Sequence, residues 1–295
     1  TSFGAHNGVF AFTNTAFPSA SNAIAGVADF NGDGRDDLVT FTGNGGLHVF
    51  LGSSVTASGI DPASTFTFGG SGFLVAAVTA DFNGDGKPDV AVASSAGVVS
   101  VGFNTGAGFV AGPVLATGSS LTQLAAFDVD GQSGPDLLAA NPGAGTLRLA
   151  TNGGGSFTLQ PVTTIPAATS EIIPYREAGT TFVVLRAGVG ALQVSSLSSG
   201  GVLGTPATIS PNSYASIAVG DLDGDGNVEV MGPQLTGKGT IDVYQHDPST
   251  WQLRQTLRPN NQPVQVRLVD WNGDGKLDLS YCNGPSEAAR PLSQL

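Results

Sequence analysis

The sequence predicts an all-β chain assembled from one four-stranded antiparallel unit used about six times. Three observations carry this. A nine-residue acidic segment recurs as DFNGDGRDD (Asp29 to Asp37), DFNGDGKPD (Asp81 to Asp89), DVDGQSGPD (Asp128 to Asp136), DLDGDGNVE (Asp221 to Glu229) and DWNGDGKLD (Asp270 to Asp278). Each copy is entered and left by apolar runs of strand length, and no window holds a helical period over three turns. The 43 glycines, spread without the period of a collagen chain, supply the tight turns that many short strands require.

The starts of the acidic segments are 52, 47, 93 and 49 residues apart, so the long gap hides one degenerate copy. That copy falls near residue 173, where EIIPYREAGTTFVVL keeps the apolar flanks Ile172, Ile173, Phe182, Val183 and Val184 but has no acidic cluster. In each repeat the first strand is the run entering the loop (IAGVADF, LVAAVTADF, LTQLAAFDV, SIAVGDL, VQVRLVDW). The second leaves it (LVTF, VAVA, LLAA, VEVMG, LDLSY), and a third follows (LHVFLG, VVSVGF, LRLATN, IDVYQH). After a glycine-rich turn comes a fourth, anchored by Phe66, Phe109, Phe157 or Trp251.

Four short antiparallel strands at a period of about 48 residues point to a β-propeller. Six blades nearly exhaust the 295 residues, as repeats 21–70, 71–117, 118–166, 167–211, 212–260 and 261–295 completed by 1–20, all in one domain spanning 1–295. Seven blades are the alternative for a chain that is a fragment. The last repeat lacks an outer strand, and Val9 to Phe17 is a spare one, so the N-terminal strand is expected to close the ring and remove an open sheet edge.

Oxygen-bearing side chains at positions 1, 3, 5 and 9, with glycines at 4 and 6, describe a loop that folds around a hard cation. The expected ligands in the first loop are Asp29, Asn31, Asp33, the Arg35 carbonyl and Asp37; in the second, Asp81, Asn83, Asp85, the Lys87 carbonyl and Asp89. The third offers Asp128, Asp130, Gln132, the Gly134 carbonyl and Asp136. The fifth offers Asp221, Asp223, Asp225, the Asn227 carbonyl and Glu229, and the sixth Asp270, Asn272, Asp274, the Lys276 carbonyl and Asp278. Sixteen of the 23 acidic side chains are thereby committed, and without a cation they would crowd like charges together. Four or five Ca²⁺ per chain are expected. An EF-hand is excluded, because its twelfth position needs Glu and here holds Thr40, Val92, Ala139, Gly232 or Tyr281.

Through these five loops the chain resembles the FG-GAP/VCBS repeat family, the calcium-loop β-propellers of integrin α-subunit heads and fungal Psathyrella-type lectins. The resemblance implies the propeller, the calcium and an extracellular or cell-surface setting. It departs in the metal-free fourth repeat and in the blade count, since the familiar relatives have seven.

A net charge of −12 makes nucleic acid a poor partner. No apolar run is long enough for a membrane span, no signal peptide is expected in the chain as given, and the single Cys282 is expected as a small buried hydrophobe. His6, His48 and His246 fall in different repeats, which gives no nucleophile–base set; Asp61, Glu171, Glu177, Asp242, Asp247 and Glu287 remain outside the loops without singling out a catalytic pair. Trp251 and Trp271 align with packing positions. Tyr175, Arg176, Glu177 and Arg186, where the acidic loop is missing, read as remnants of a decayed repeat or as a site for a glycan or carboxylate. The residues favour a secreted binding module for a glycan or surface-protein ligand over the two alternatives, a polysaccharide lyase and a structural or self-assembling domain.

Overall fold

The structure, a computed structural model, describes residues 2–4, 10–12, 22–42, 46–52, 64–67, 72–118, 120–166, 169–187, 191–235, 239–247, 250–259, 262–284 and 293–294. Among them are six sheets of chain-consecutive antiparallel strands and one two-stranded ribbon. The first sheet takes Asn22–Ala28, Asp37–Thr42, Gly46–Phe50 and Ser64–Thr67; the second Leu74–Ala80, Asp89–Ser94, Val98–Asn104 and Phe109–Ala116. Gln123–Phe127, Asp136–Asn141, Thr146–Asn152 and Phe157–Thr164 make the third. The fourth is Thr169–Glu177, Thr180–Ala187, Leu192–Ser196 and Ala207–Ser210; the fifth Ala218–Gly220, Glu229–Pro233, Ile241–Asp247 and Thr250–Leu257. The sixth has three strands, Pro263–Val269, Asp278–Asn283 and Ser293–Gln294.

Burial follows strand position. Second strands are buried on both faces, as Asp89–Ser94 is throughout, so VAVA and LLAA read as unbroken apolar runs. Fourth strands such as Phe109–Ala116 are largely half-buried or exposed. In the first, second, fourth and sixth sheets the innermost pair carries a register shift near the start of its first strand, at Ile24/Gly26, Leu74/Ala76, Thr169/Glu171 and Pro263/Gln265. A bulge there adds local twist to the strand that enters the loop.

Two compact units are present, one of Thr1–Asn141 with Arg148–Pro161 and one of Pro142–Leu147 with Val162–Leu295. In the first unit, faces of the first and second sheets meet through Phe41, Leu47, Val49, Val90 and Val92, and the second and third through Phe82, Val99, Val101, Leu121 and Leu137. In the second unit, Tyr175, Val184, Val194, Ile217 and Val230 join the fourth sheet to the fifth, and Met231, Ile241, Val243, Val266 and Leu279 join the fifth to the sixth. Within each unit, successive sheets thus bury apolar faces on one another.

Two expectations are corrected. Phe10–Phe12, the described part of the strand expected to complete the last sheet, is hydrogen-bonded to Ser2–Gly4, while Ser293–Gln294 supplies the third strand beside Asp278–Asn283. Closing a hairpin of a few residues costs far less chain entropy than pairing strands from opposite ends of the sequence. Val9 and residues 13–17 lie outside the described residues. Cys282 is half-buried rather than buried, with its Sγ 3.6 Å from Gln265 Oε1.

Candidate functional site

The five acidic segments each bridge the first and second strands of a sheet. In the first, Asp29 sits in a cradle of backbone donors: Gly32 and Asp33 N–H donate to its Oδ1 (2.7 and 3.1 Å) and Gly34 N–H to its Oδ2 (2.7 Å). Asn31 Oδ1 accepts from Asp33 N–H (2.9 Å), and Asp33 Oδ1 from Arg35 N–H (2.9 Å). Odd-numbered side chains thereby fold back over the loop, each shaping the turn that follows it. Asp81, Asn83, Asp85 and Lys87 repeat the pattern, as do Asp270, Asn272, Asp274 and Lys276. Left-handed backbone at positions 4 and 6, with φ of 77° at Gly84 and 83° at Gly86, explains why both are glycine.

The third loop takes a different path. Ser133 stands at position 6, the left-handed residue moves on to Gly134 (φ 103°), and Gly134 N–H donates to the Gln132 backbone carbonyl (2.6 Å) rather than to a side chain. Carboxylate oxygens of Asp128, Asp130 and Asp136 nevertheless lie within 4.8 Å of one another, as do those of Asp221, Asp223 and Asp225 in the fifth loop. In the first two loops position 5 has a basic neighbour, with Arg35 Nη1 3.3 Å from Asp33 Oδ2 and Lys87 Nζ 3.3 Å from Asp85 Oδ2. These exposed pairs add little stability.

Position 9 has a second task that the spacing does not announce. Asp89 is fully buried; Phe82 N–H donates to its Oδ2 (3.0 Å) and Asn104 N–H, at the end of the third strand, to its Oδ1 (2.7 Å). Asp37 receives Phe30 and Gly52 N–H in the same way, and Asp136 receives Val129 and Asn152 N–H. Each aspartate clamps its own loop to the strand two further along. Asn104 and Asn152 then donate side-chain N–H to the Phe30 and Phe82 carbonyls of the preceding loop (2.8 Å each), tying neighbouring repeats together.

The fifth loop has Glu229 instead. Its Oε2 accepts Leu222 N–H (2.7 Å), but its Oε1 is buried with no partner. Burial first, then the Asp223, Asp225 and Asp221 charges, pushes the Glu229 carboxyl up to about 7. Burial likewise raises Asp89 and Asp136, whereas backbone N–H donors, led by Gly34 and Gly275, hold Asp29 and Asp270 below the usual carboxylate range. A set of hard oxygen donors enclosing an orphaned buried carboxylate oxygen fits a hard divalent cation such as Ca²⁺ and offers neither nitrogen nor sulfur for Zn²⁺.

A pH dependence follows for the protein in chelator. Because the folded fifth loop favours protonated Glu229, its contribution to stability is fully present below the ordinary glutamate value and is lost as pH rises through about 7. Denaturant unfolding across that window is expected to show wild type losing roughly 2 kcal/mol more than Glu229→Gln. Equal losses in the two proteins would contradict it.

In the fourth repeat the loop is reduced to the turn Ala178–Gly179 (φ 47° and 81°). Arg186 is structural: its Nε bonds Glu171 Oε2 (2.9 Å) and its Nη1 the Tyr214 carbonyl (2.7 Å), while Glu171 also accepts the N–H of Ile217, just before the first strand of the fifth sheet. It is therefore not the ligand-binding cation that one sequence reading allowed. Glu177 contacts His246 Nδ1 (2.5 Å) and Val228 N–H of the fifth loop (3.3 Å). Trp251 packs against the core of the fourth and fifth sheets as expected, whereas Trp271 is 44% exposed, against 4% and 0% for Phe30 and Phe82 at the same loop position. Sequence reading gave Asp242 no role; it is buried and accepts from Tyr214 Oη, Gln234 and Thr256 within the fifth sheet and its approach, a network with no linear motif to reveal it.

The model of the FG-GAP-like repeat matches residues 29–92 and 81–138. No curated protein matches the chain. Among solved structures, BBS1N in complex with ARL6DN, soaked with lead, is similar at TM-score 0.56 and 12% identity, over 90% of this chain and 93% of that one. The same complex soaked with mercury gives TM-score 0.58 and 13% identity, over 90% and 92%. At this identity the likeness establishes fold alone: an all-β, propeller-like arrangement of four-stranded antiparallel sheets. No helix among the described residues is long and apolar enough to cross a membrane.

Proposed function

For a chain that carries FG-GAP-like repeats, we propose the function of a calcium-stabilised binding module that presents its sheets to a protein or glycan ligand outside the cell. The observation that carries the calcium is the fifth loop, where the buried, unpartnered Glu229 Oε1 accompanies three converging aspartates. Asp221, Asp223, Asp225 and Glu229 would hold the ion there; Asp128, Asp130 and Asp136 would do so in the third loop, and the carboxylates at positions 1, 5 and 9 with the position-3 asparagine in the others. When bound, the cation supplies charge neutralisation and rigidity to turns that otherwise gather like charges. Millimolar extracellular calcium suits such exposed loops. A partner-binding role is supported by the similar crystal structures, both of which contain BBS1N in complex with ARL6DN.

Metal analysis after dialysis against calcium buffer tests this reading. Four or five Ca²⁺ per chain are expected, and Asp223→Ala should lose one of them while leaving the other loops loaded. Fewer than three ions per chain would overturn the proposal.

A further inference from the structure

The fourth and fifth repeats depart from the others in complementary ways, the fourth by losing its acidic loop and the fifth by keeping a loop without the usual clamp. In the first and second sheets the position-9 aspartate takes a backbone donor from the third strand as well as one from its own loop. Gly52 N–H reaches Asp37 and Asn104 N–H reaches Asp89, each at 2.7 Å. Both donors follow the residue opposite position 9, because Leu38 pairs with Phe50 and Val90 with Gly102. In the fifth sheet Glu229 pairs with Gln245, so the corresponding residue is His246. The His246 N–H goes instead to the Val228 carbonyl (3.3 Å), and Glu229 keeps only Leu222 N–H, with its Oε1 buried and unpartnered.

A substitute for the clamp comes from the preceding repeat. Glu177 ends the first strand of the fourth sheet, immediately before Ala178–Gly179, and its side chain is 11% exposed. Its Oε1 accepts Val228 N–H (3.3 Å), at position 8 of the fifth loop, and its Oε2 meets His246 Nδ1. Val228 and His246 are thereby joined twice, by their own backbone bond and through Glu177. Asn104 reaches back from the same strand position to the Phe30 carbonyl of the preceding loop. With no loop in the fourth repeat, His246 finds Glu177 there instead. Beside it Gln245 donates Nε2 to Asp225 Oδ2 (2.7 Å), at position 5 of the fifth loop.

We propose that Glu177 is a positioning residue for the fifth loop: it ties position 8 to the third strand in place of the position-9 carboxylate, which leaves Glu229 Oε1 to the cation. An ion pair that merely joined two sheets would explain the contact with His246 but not the bond from the other oxygen to the loop. Glu177 is not itself a ligand in this arrangement, because both its oxygens are engaged. Residues hydrogen-bonded behind metal ligands commonly change metal affinity by roughly 10–100-fold when removed. The inference rests on the calcium reading of the loops and adds to it a residue from a repeat that has no loop.

Backbone ¹⁵N NMR of the full chain during a calcium titration follows the loops separately, through the position-6 glycines Gly34, Gly86, Gly226 and Gly275. In Glu177→Ala the calcium concentration that half-saturates Gly226 is expected to rise about tenfold, with Gly34, Gly86 and Gly275 unchanged. Glu177→Gln keeps an acceptor for Val228 N–H and should recover most of that loss. Val228→Pro deletes the donor, using the residue that the second and third loops carry at position 8, Pro88 and Pro135. It should reproduce the alanine variant, and it decides if Glu177→Ala does not fold. An unshifted Gly226 in a folded variant of either kind overturns the proposal, as does a Glu177→Gln as weak as Glu177→Ala. Equal shifts in all four loops, the signature of a general loss of stability, overturn it too. Wild-type glycines that ignore calcium altogether remove the calcium reading and this inference with it, whereas loops that fill with calcium while Gly226 is indifferent to Glu177 remove this inference alone.

Discussion

Asp89→Ala is expected to destabilise the protein by about 3–5 kcal/mol, because two buried backbone donors, Phe82 N–H and Asn104 N–H, lose their acceptor at once. The size of the effect comes from burial. Asp81 accepts three N–H groups in the same loop, but those donors are exposed and can turn to water. Asp81→Ala in chelator should therefore cost well under half as much as Asp89→Ala in chelator. Urea unfolding of both variants in EDTA makes the comparison without any contribution from metal. If the two lose equal stability there, the clamp assigned to position 9 is wrong.

Chelation is expected to have the other large effect. A site filled at a hundredfold excess over its dissociation constant adds about 2.7 kcal/mol to the folded state, and several such sites act together. Adding EDTA to protein in calcium buffer should accordingly lower the melting temperature by well over 10 °C, with recovery on adding back calcium and none on adding back magnesium at the same concentration. Magnesium demands a smaller octahedral shell and releases its waters reluctantly, whereas loops that offer several protein oxygens suit the larger, more variable shell of calcium. A melting temperature unmoved by EDTA would contradict the calcium reading, whatever the sheets bind.

The sequence by itself determined the strands of the first five sheets and their order, the acidic loops and the repeat that loses one. These are local properties. A nine-residue segment with glycines at positions 4 and 6 folds its own oxygens inward, and runs such as VAVA pair with the run just before or after them, so neither needs a distant partner to be recognised. Even the third loop, with Ser133 at position 6, brings Asp128, Asp130 and Asp136 together because the left-handed turn moves only one residue along, to Gly134.

Tertiary structure decided what depends on residues far apart in the chain. Position 9 reads as one more ligand until Asn104 N–H, 15 residues on, is seen to bond Asp89. Arg186 reads as a free cation until Tyr214 and Glu171 are found holding it. Tyr175 and Trp251, 76 positions apart, read as a decayed remnant and a packing residue, and only sheet-to-sheet packing brings their rings together edge-on. The pairing of Phe10–Phe12 with Ser2–Gly4 belongs here as well. Repeats copy their local geometry from one another, but the contact between two sheets depends on the side chains of both, and no single segment of the sequence contains that information.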